Sequence, residues 1–132
     1  MPPLEKTNLA EAFARIAEPW RPKLVARLNG QAVKLAKLRG PFLWHQHADA
    51  DELFLVVRGR FRMELRDDPA DPARERTLAL AEGDLLVVPK GVEHRPVADD
   101  DADAEVLLFE PLGTRNTGEV EDARLTAPTD VE

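Results

Sequence analysis

Trp44-His45-Gln46-His47-Ala48-Asp49-Ala50-Asp51-Glu52 sets two alternating histidines ahead of a glutamate. Residues two apart in an extended strand share a face, with Cα atoms about 6.6 Å apart, so both imidazoles can tilt toward one ion. Leu43 falls on the same face as His45 and His47. In the following run Glu52, Phe54 and Val56 share a parity, so if the two apolar residues enter the core, the carboxylate enters with them. An inward carboxylate is costly unless it is paired or binds a cation. The third and last histidine of the chain, His94, ends Val88-Pro89-Lys90-Gly91-Val92-Glu93-His94. Three imidazoles and one carboxylate would satisfy Glu52 and leave a six-coordinate metal about two open positions.

The 132 residues suit one domain with one core. Net charge is -7, with a dense acidic run at Asp99-Asp100-Asp101-Ala102-Asp103, which disfavours a wide phosphate-binding surface and argues against a nucleic-acid partner. No stretch approaches the roughly 18 apolar residues of a membrane span, and Met1-Pro2-Pro3-Leu4-Glu5-Lys6 lacks signal-peptide order. The expectation is a soluble cytoplasmic protein without membrane contact. The absence of cysteine removes disulfides, thiolate nucleophiles and thiolate zinc sites together, so any metal is held by nitrogen and oxygen.

Leu9, Phe13 and Ile16 recur at helical spacing over 7–18, with Thr7 or Asn8 to cap the start and Pro19 to end it. This predicts one short amphipathic helix packed on the outside of the domain. Strand patterns follow: Lys23 to Leu28 and Gln31 to Leu38 flank Asn29-Gly30, a strong hairpin signal. Further strands are expected over Pro41 to His47, Glu52 to Val57, Arg60 to Arg66, Thr77 to Leu80, Asp84 to Val88, His94 to Ala98 and Ala104 to Phe109. Phe61, Met63 and Leu65 alternate with Arg60, Arg62, Glu64 and Arg66, giving a strand with one wet face. Many short strands with polar breaks argue for an all-β sandwich or barrel. Asp67 to Arg76, with Pro69 and Pro72, reads as a loop, and the chain beyond Pro111 loses periodicity. The expected organisation is an N-terminal helical segment over 1–22, a barrel over 23–111 and a partly disordered C-terminal extension over 112–132.

Gly40 and Gly59 bracket His45, His47 and Glu52, and Gly83, Pro89 and Gly91 precede His94. The resulting patterns, His-x-His-x4-Glu-x6-Gly and Gly-x5-Pro-x-Gly-x2-His, resemble the paired motifs of the cupin superfamily. The resemblance implies a small antiparallel jelly-roll barrel, most often a homodimer, with His45, His47, Glu52 and His94 as metal ligands. Two departures stand out: Gly40 is one residue closer to His45 than in the commonest form, and Ala98 replaces an asparagine often found there. Gly113-Thr114-Arg115-Asn116-Thr117-Gly118 is similar to the C-terminal stretch of uncharacterised cupins described as mannose-6-phosphate-isomerase-like. Gly59 would supply positive φ for a tight turn, and Pro89-Lys90-Gly91 would return His94 to the metal.

Leu43, Phe54, Val56, Phe61, Met63, Leu65, Val88 and Leu108 are the expected pocket residues, with Trp44 on the outer face or rim. This apolar lining, with no evident Lys, Arg, Ser or Tyr, counts against sugar-phosphate chemistry and favours a small, metal-chelating, partly apolar oxygenated compound. Fe, Mn, Ni, Zn or Co would suit the ligand set, and Glu52 is the candidate catalytic base. The expected chemistry is that of a dioxygenase or an isomerase. A non-catalytic binding or sensing module and a polyketide-type cyclisation factor are the alternatives.

Overall fold

The computed structural model describes residues 4–68 and 70–132; Met1–Pro3 and Pro69, the latter in the expected loop, lie outside the described residues. Helix α1 (Leu9–Ala14) precedes eight strands: β1 (Lys23–Leu28), β2 (Gln31–Leu38), β3 (Glu52–Arg58), β4 (Arg60–Arg66), β5 (Glu75–Ala81), β6 (Leu85–Val88), β7 (Glu93–Ala98) and β8 (Ala104–Pro111). They form two antiparallel sheets, ordered β1-β2-β8-β3-β6 and β5-β4-β7. The architecture is the expected all-β jelly-roll barrel.

Local chemistry explains the element bounds. Asn8 caps α1 by accepting a hydrogen bond from the Glu11 N–H at 3.0 Å. The helix stops at Ala14, short of the expected Glu18, because Arg15 and Ile16 turn their N–H groups to the carbonyls three residues back, Ala12 and Phe13. Asn29 and Gly30 take φ of 52° and 74°, the left-handed pair that a two-residue hairpin between β1 and β2 requires. The expected loop over 67–76 contains a 3-10 turn, Pro72–Arg74, and β5 begins within it at Glu75.

The expected strand over Pro41 to His47 is not a strand. Only two isolated bridges join it to β7, Pro41 to Val97 and His45 to His94. Phe42 donates its N–H to the Pro96 carbonyl at 2.9 Å, but a proline has no N–H to return, so the ladder cannot close there. The chain instead touches β7 at His45, where the reciprocal pair of bonds to His94 is made at 3.0 and 2.8 Å.

Inward residues of both sheets, among them Ala36, Phe54, Val56, Phe61, Met63, Leu65, Leu80 and Val106, meet in one core. Outside it, α1 lays Phe13 on Leu35, Val57 and Leu107, the outer face of the five-stranded sheet. Among the described residues no helix is long and apolar enough to cross a membrane.

Residues 112–132 add no strand, yet they are hydrogen-bonded to the barrel. The Leu24 N–H on edge strand β1 donates to the Val131 carbonyl, Arg21 donates to the Thr126 carbonyl, and Asn116 spans the Trp20 and Leu125 carbonyls. Gly118 comes closest to the histidine stretch. With φ of +61°, it lies where an added Cβ would run into the Gln46 carbonyl oxygen. Gly118→Ala therefore adds a backbone clash to the left-handed strain of about 1–3 kcal/mol. Its urea unfolding midpoint should fall further than that of Gly30→Ala, where φ is +74° and the space is open. Equal losses would contradict this packing.

Candidate metal centre

His45, His47, Glu52 and His94 come together in the barrel, each with a nitrogen or oxygen within 4.8 Å of the others. All four are buried, His94 completely. Each arrives from a different constraint. The backbone pair just described fixes His45 against His94. Gly91, at φ +80°, donates its N–H to the His47 carbonyl at 2.9 Å, and Lys90 N–H is held by Asp51 at 2.9 Å, so the Pro89-Lys90-Gly91 turn clasps the first motif as it leads into β7. Glu52 opens β3 opposite Val88, and its alternation with Phe54 and Val56 turns it inward.

The imidazoles are oriented by carbonyls. His45 Nδ1 lies 3.0 Å from the Leu43 carbonyl and His94 Nδ1 lies 2.9 Å from that of Val92. A carbonyl only accepts, so both Nδ1 atoms carry the hydrogen and both Nε2 atoms present a lone pair. His94 Nε2 then faces Glu52 Oε1 at 3.5 Å, and His47 Nε2 stands 3.4 Å from the same oxygen. Neither Nε2 has a hydrogen-bond partner. Polar atoms that converge in a dry interior without hydrogen bonds are costly unless a proton or cation lies among them, and nitrogen and oxygen donors of this kind fit a first-row transition metal. Donors on one such ion stand at most about 4.4 Å apart, so ligation asks the widest pair to close by only a few tenths of an ångström.

The electrostatics follow from burial. His45 is driven down to about 3, first by desolvation and then by the neighbouring His94, so it stays neutral at ordinary pH. For Glu52, burial pushes upward but is outweighed by the polar groups of Glu110, His47 and His94 set beside it, so its carboxyl stays well below the usual carboxylate range. Glu110 moves the other way, raised by burial and by the charge on Glu52.

Glu110 and Lys34 were not among the expected site residues. Glu110, His45 and Glu52 line a cavity of about 30 Å³ walled by Trp20, Phe42, Phe54 and Leu108. Of the expected pocket residues, only Phe54 and Leu108 border it. Val56, Phe61, Met63, Leu65 and Val88 are spent in the core, with half-buried Leu43 packed against it, because the facing sheets close on them. Lys34 is also buried, though it does not line the cavity. Its Nζ meets Glu110 Oε1 at 3.1 Å, Asp130 Oδ1 at 3.2 Å and the Thr114 carbonyl at 3.2 Å. Trp44 is half-buried outside, under the Arg66 guanidinium at 3.6 Å.

The sequence pattern of the cupin domain matches residues 33–110. This chain belongs to the cupin family. The cupin is 35% identical over 71 residues to the uncharacterized protein YdbB of Bacillus subtilis (strain 168); the match covers 54% of this chain and spans 57% of that relative's length. A cupin-2 domain containing protein from Shewanella frigidimarina is 34% identical, with a TM-score of 0.70 over 80% of this chain and 93% of that one. Hydroquinone 1,2-dioxygenase from Sphingomonas sp. TTNP3, with 4-hydroxybenzoate bound, superposes with a TM-score of 0.68 over 94% of this chain and 82% of its own. At 19% identity that likeness is one of fold.

His45 takes a proton at pH 6.5 when unfolded but only near 3 when folded, so its contribution is present above pH 6.5 and is lost progressively as pH falls toward 3. Glu110, raised on folding, acts with the opposite sign. Comparing wild type with His45→Leu in chelator isolates the histidine: the variant should gain in relative stability from pH 7 to pH 5, and a constant difference would contradict the assignment.

Proposed function

We propose that this cupin holds one divalent transition metal on His45, His47, Glu52 and His94 and acts with it on a small, chelating, partly apolar oxygenated compound. The observation that supports this reading is that His47 Nε2 and His94 Nε2 each lie within 3.5 Å of Glu52 Oε1, with no hydrogen-bond partner for either nitrogen. Fe, Mn, Ni, Zn or Co bound there would supply Lewis-acid polarisation and, for the redox-active ions, electron transfer to dioxygen.

The chain's own residues supply the rest. The Nδ1–carbonyl bonds keep His45 and His94 from rotating, as outer partners of metal-bound imidazoles do. Trp20, stacked on Phe42 at 4.5 Å, and Phe54 wall the cavity with apolar surface. Glu52 is the group able to take a proton from a bound substrate once its carboxylate is displaced from the metal. Dioxygenase-type chemistry on an enol or phenolic ring is the preferred reaction class, consistent with the phenolic ligand of the hydroquinone dioxygenase of the same fold. Sugar-phosphate isomerisation has less support: the buried cation, Lys34, already has an acceptor for each of its three N–H groups.

The small cavity favours a second reading, a non-catalytic module braced by its metal, since about 30 Å³ admits water more readily than a ring. Homodimerisation belongs to the same proposal. Leu85 and Val87 are exposed on edge strand β6, beside half-buried Leu53 and Leu55, and that apolar face suits a second copy.

Oxygen uptake over a panel of β-diketones, catechols and hydroquinones, with protein reconstituted separately with each metal, separates the readings. Turnover in wild type that is lost in His47→Ala is expected. If no metal supports turnover while chelation sharply lowers the melting temperature, the bracing role is the correct one.

A further inference from the structure

Lys34 and Glu110 form a buried ion pair one step from the histidine–glutamate cluster, and nothing in the proposed chemistry yet uses it. The strand registers bring the groups together. Ala32 pairs with Glu110 and Lys34 with Leu108, so Lys34 and Glu110 are diagonal neighbours on the inner face of the β2–β8 pair. Leu53 pairs with Phe109, so the next inward residues, Glu52 and Glu110, oppose each other on β3 and β8. Two carboxyl groups so placed have Cβ atoms about 4.5–5.5 Å apart and repel when both are ionised. Both are at least 96% buried, and both border the same cavity as His45.

We propose that Glu110, anchored by Lys34, is a positioning residue that holds the Glu52 carboxyl toward His47 and His94. The proposal rests on the metal-ligand reading above. A glutamate side chain gives up rotamer freedom when ordered, so a ligand carboxylate at the start of a strand needs something to hold it. Glu52 Oε1 is directed at the two histidines, and its other neighbour is Glu110. Glu110 cannot retreat, because its Oε1 is tied to the Lys34 ammonium at 3.1 Å. Its Oε2 is buried with no protein donor, in the cavity that Glu52 shares. Lys34 is itself immobilised by Asp130 and by the Thr114 carbonyl. The C-terminal segment thereby reaches the metal ligands through two intermediates.

The test is titration of the metal-free, full-length protein with Co(II) alone, followed by calorimetry and by the visible absorption of the bound ion. His47→Ala reports loss of a ligand. Glu110→Ala and Lys34→Met should weaken binding by about 10- to 100-fold, as loss of an outer partner typically does, and should shift the Co(II) bands. Glu110→Gln keeps the shape and can donate a hydrogen bond to Glu52, so it should recover affinity to within a few-fold of wild type. Where Glu110→Ala does not fold, Glu110→Asp, which withdraws the carboxyl by one methylene, should show the same weakening. Wild-type affinity and an unchanged spectrum in folded Glu110→Ala or Glu110→Asp overturn the proposal alone, even if their melting temperatures fall. No Co(II) binding in wild type overturns the ligand reading and this proposal with it.

Discussion

Two imidazole nitrogens, His47 Nε2 and His94 Nε2, lie 3.4 and 3.5 Å from one carboxylate oxygen of Glu52 inside a closed barrel, and the surrounding structure keeps them there. Such a convergence would relax in a pliable interior. Here the backbone pair between His45 and His94, the Pro89-Lys90-Gly91 turn bonded to His47, and the contact of Gly118 with Gln46 restrain the histidine segments. Strand β3 fixes Glu52 through its pairing with both β6 and β8. A cation removes the conflict that this rigidity imposes.

The same constraint accounts for the other buried charges. Glu110 and Asp130 share a single ammonium, Lys34, and Glu52 is buried beside Glu110, so this region carries surplus negative charge when all three carboxylates are ionised. The metal-free protein eases this by raising Glu110, while His45, kept neutral by burial, contributes no compensating charge. A divalent ion at the histidine–glutamate cluster would balance the remainder. The apolar core of Phe61, Met63, Leu65 and their neighbours stabilises the barrel and leaves one end free for this polar chemistry.

Strand parity made most of this legible before any coordinates. It turned Glu52 inward with Phe54 and Val56, while the Asn29-Gly30 turn placed the β1–β2 hairpin at its observed bounds. The same argument reaches Glu110, two residues past inward Leu108, but the expected strand ended at Phe109, one residue too soon. Lys34 was hidden for another reason: β2 is apolar on both faces, because α1 covers Leu35 from outside, so alternation alone did not say which side was inner. The segment over Pro41 to His47 alternates like a strand, yet Pro96 on its partner denies it the returning hydrogen bonds. The attachment of residues 112–132 runs through backbone carbonyls and single side chains such as Asn116, which leave no period in a sequence.

The central claim, that the four residues form a transition-metal site, is tested most directly by elemental analysis of protein purified without a histidine tag. Wild type should carry about one equivalent of a first-row transition metal per chain, and a folded His94→Ala variant should lose it. A wild type that neither contains nor takes up such a metal, or a His94→Ala variant that retains it in full, would contradict the account.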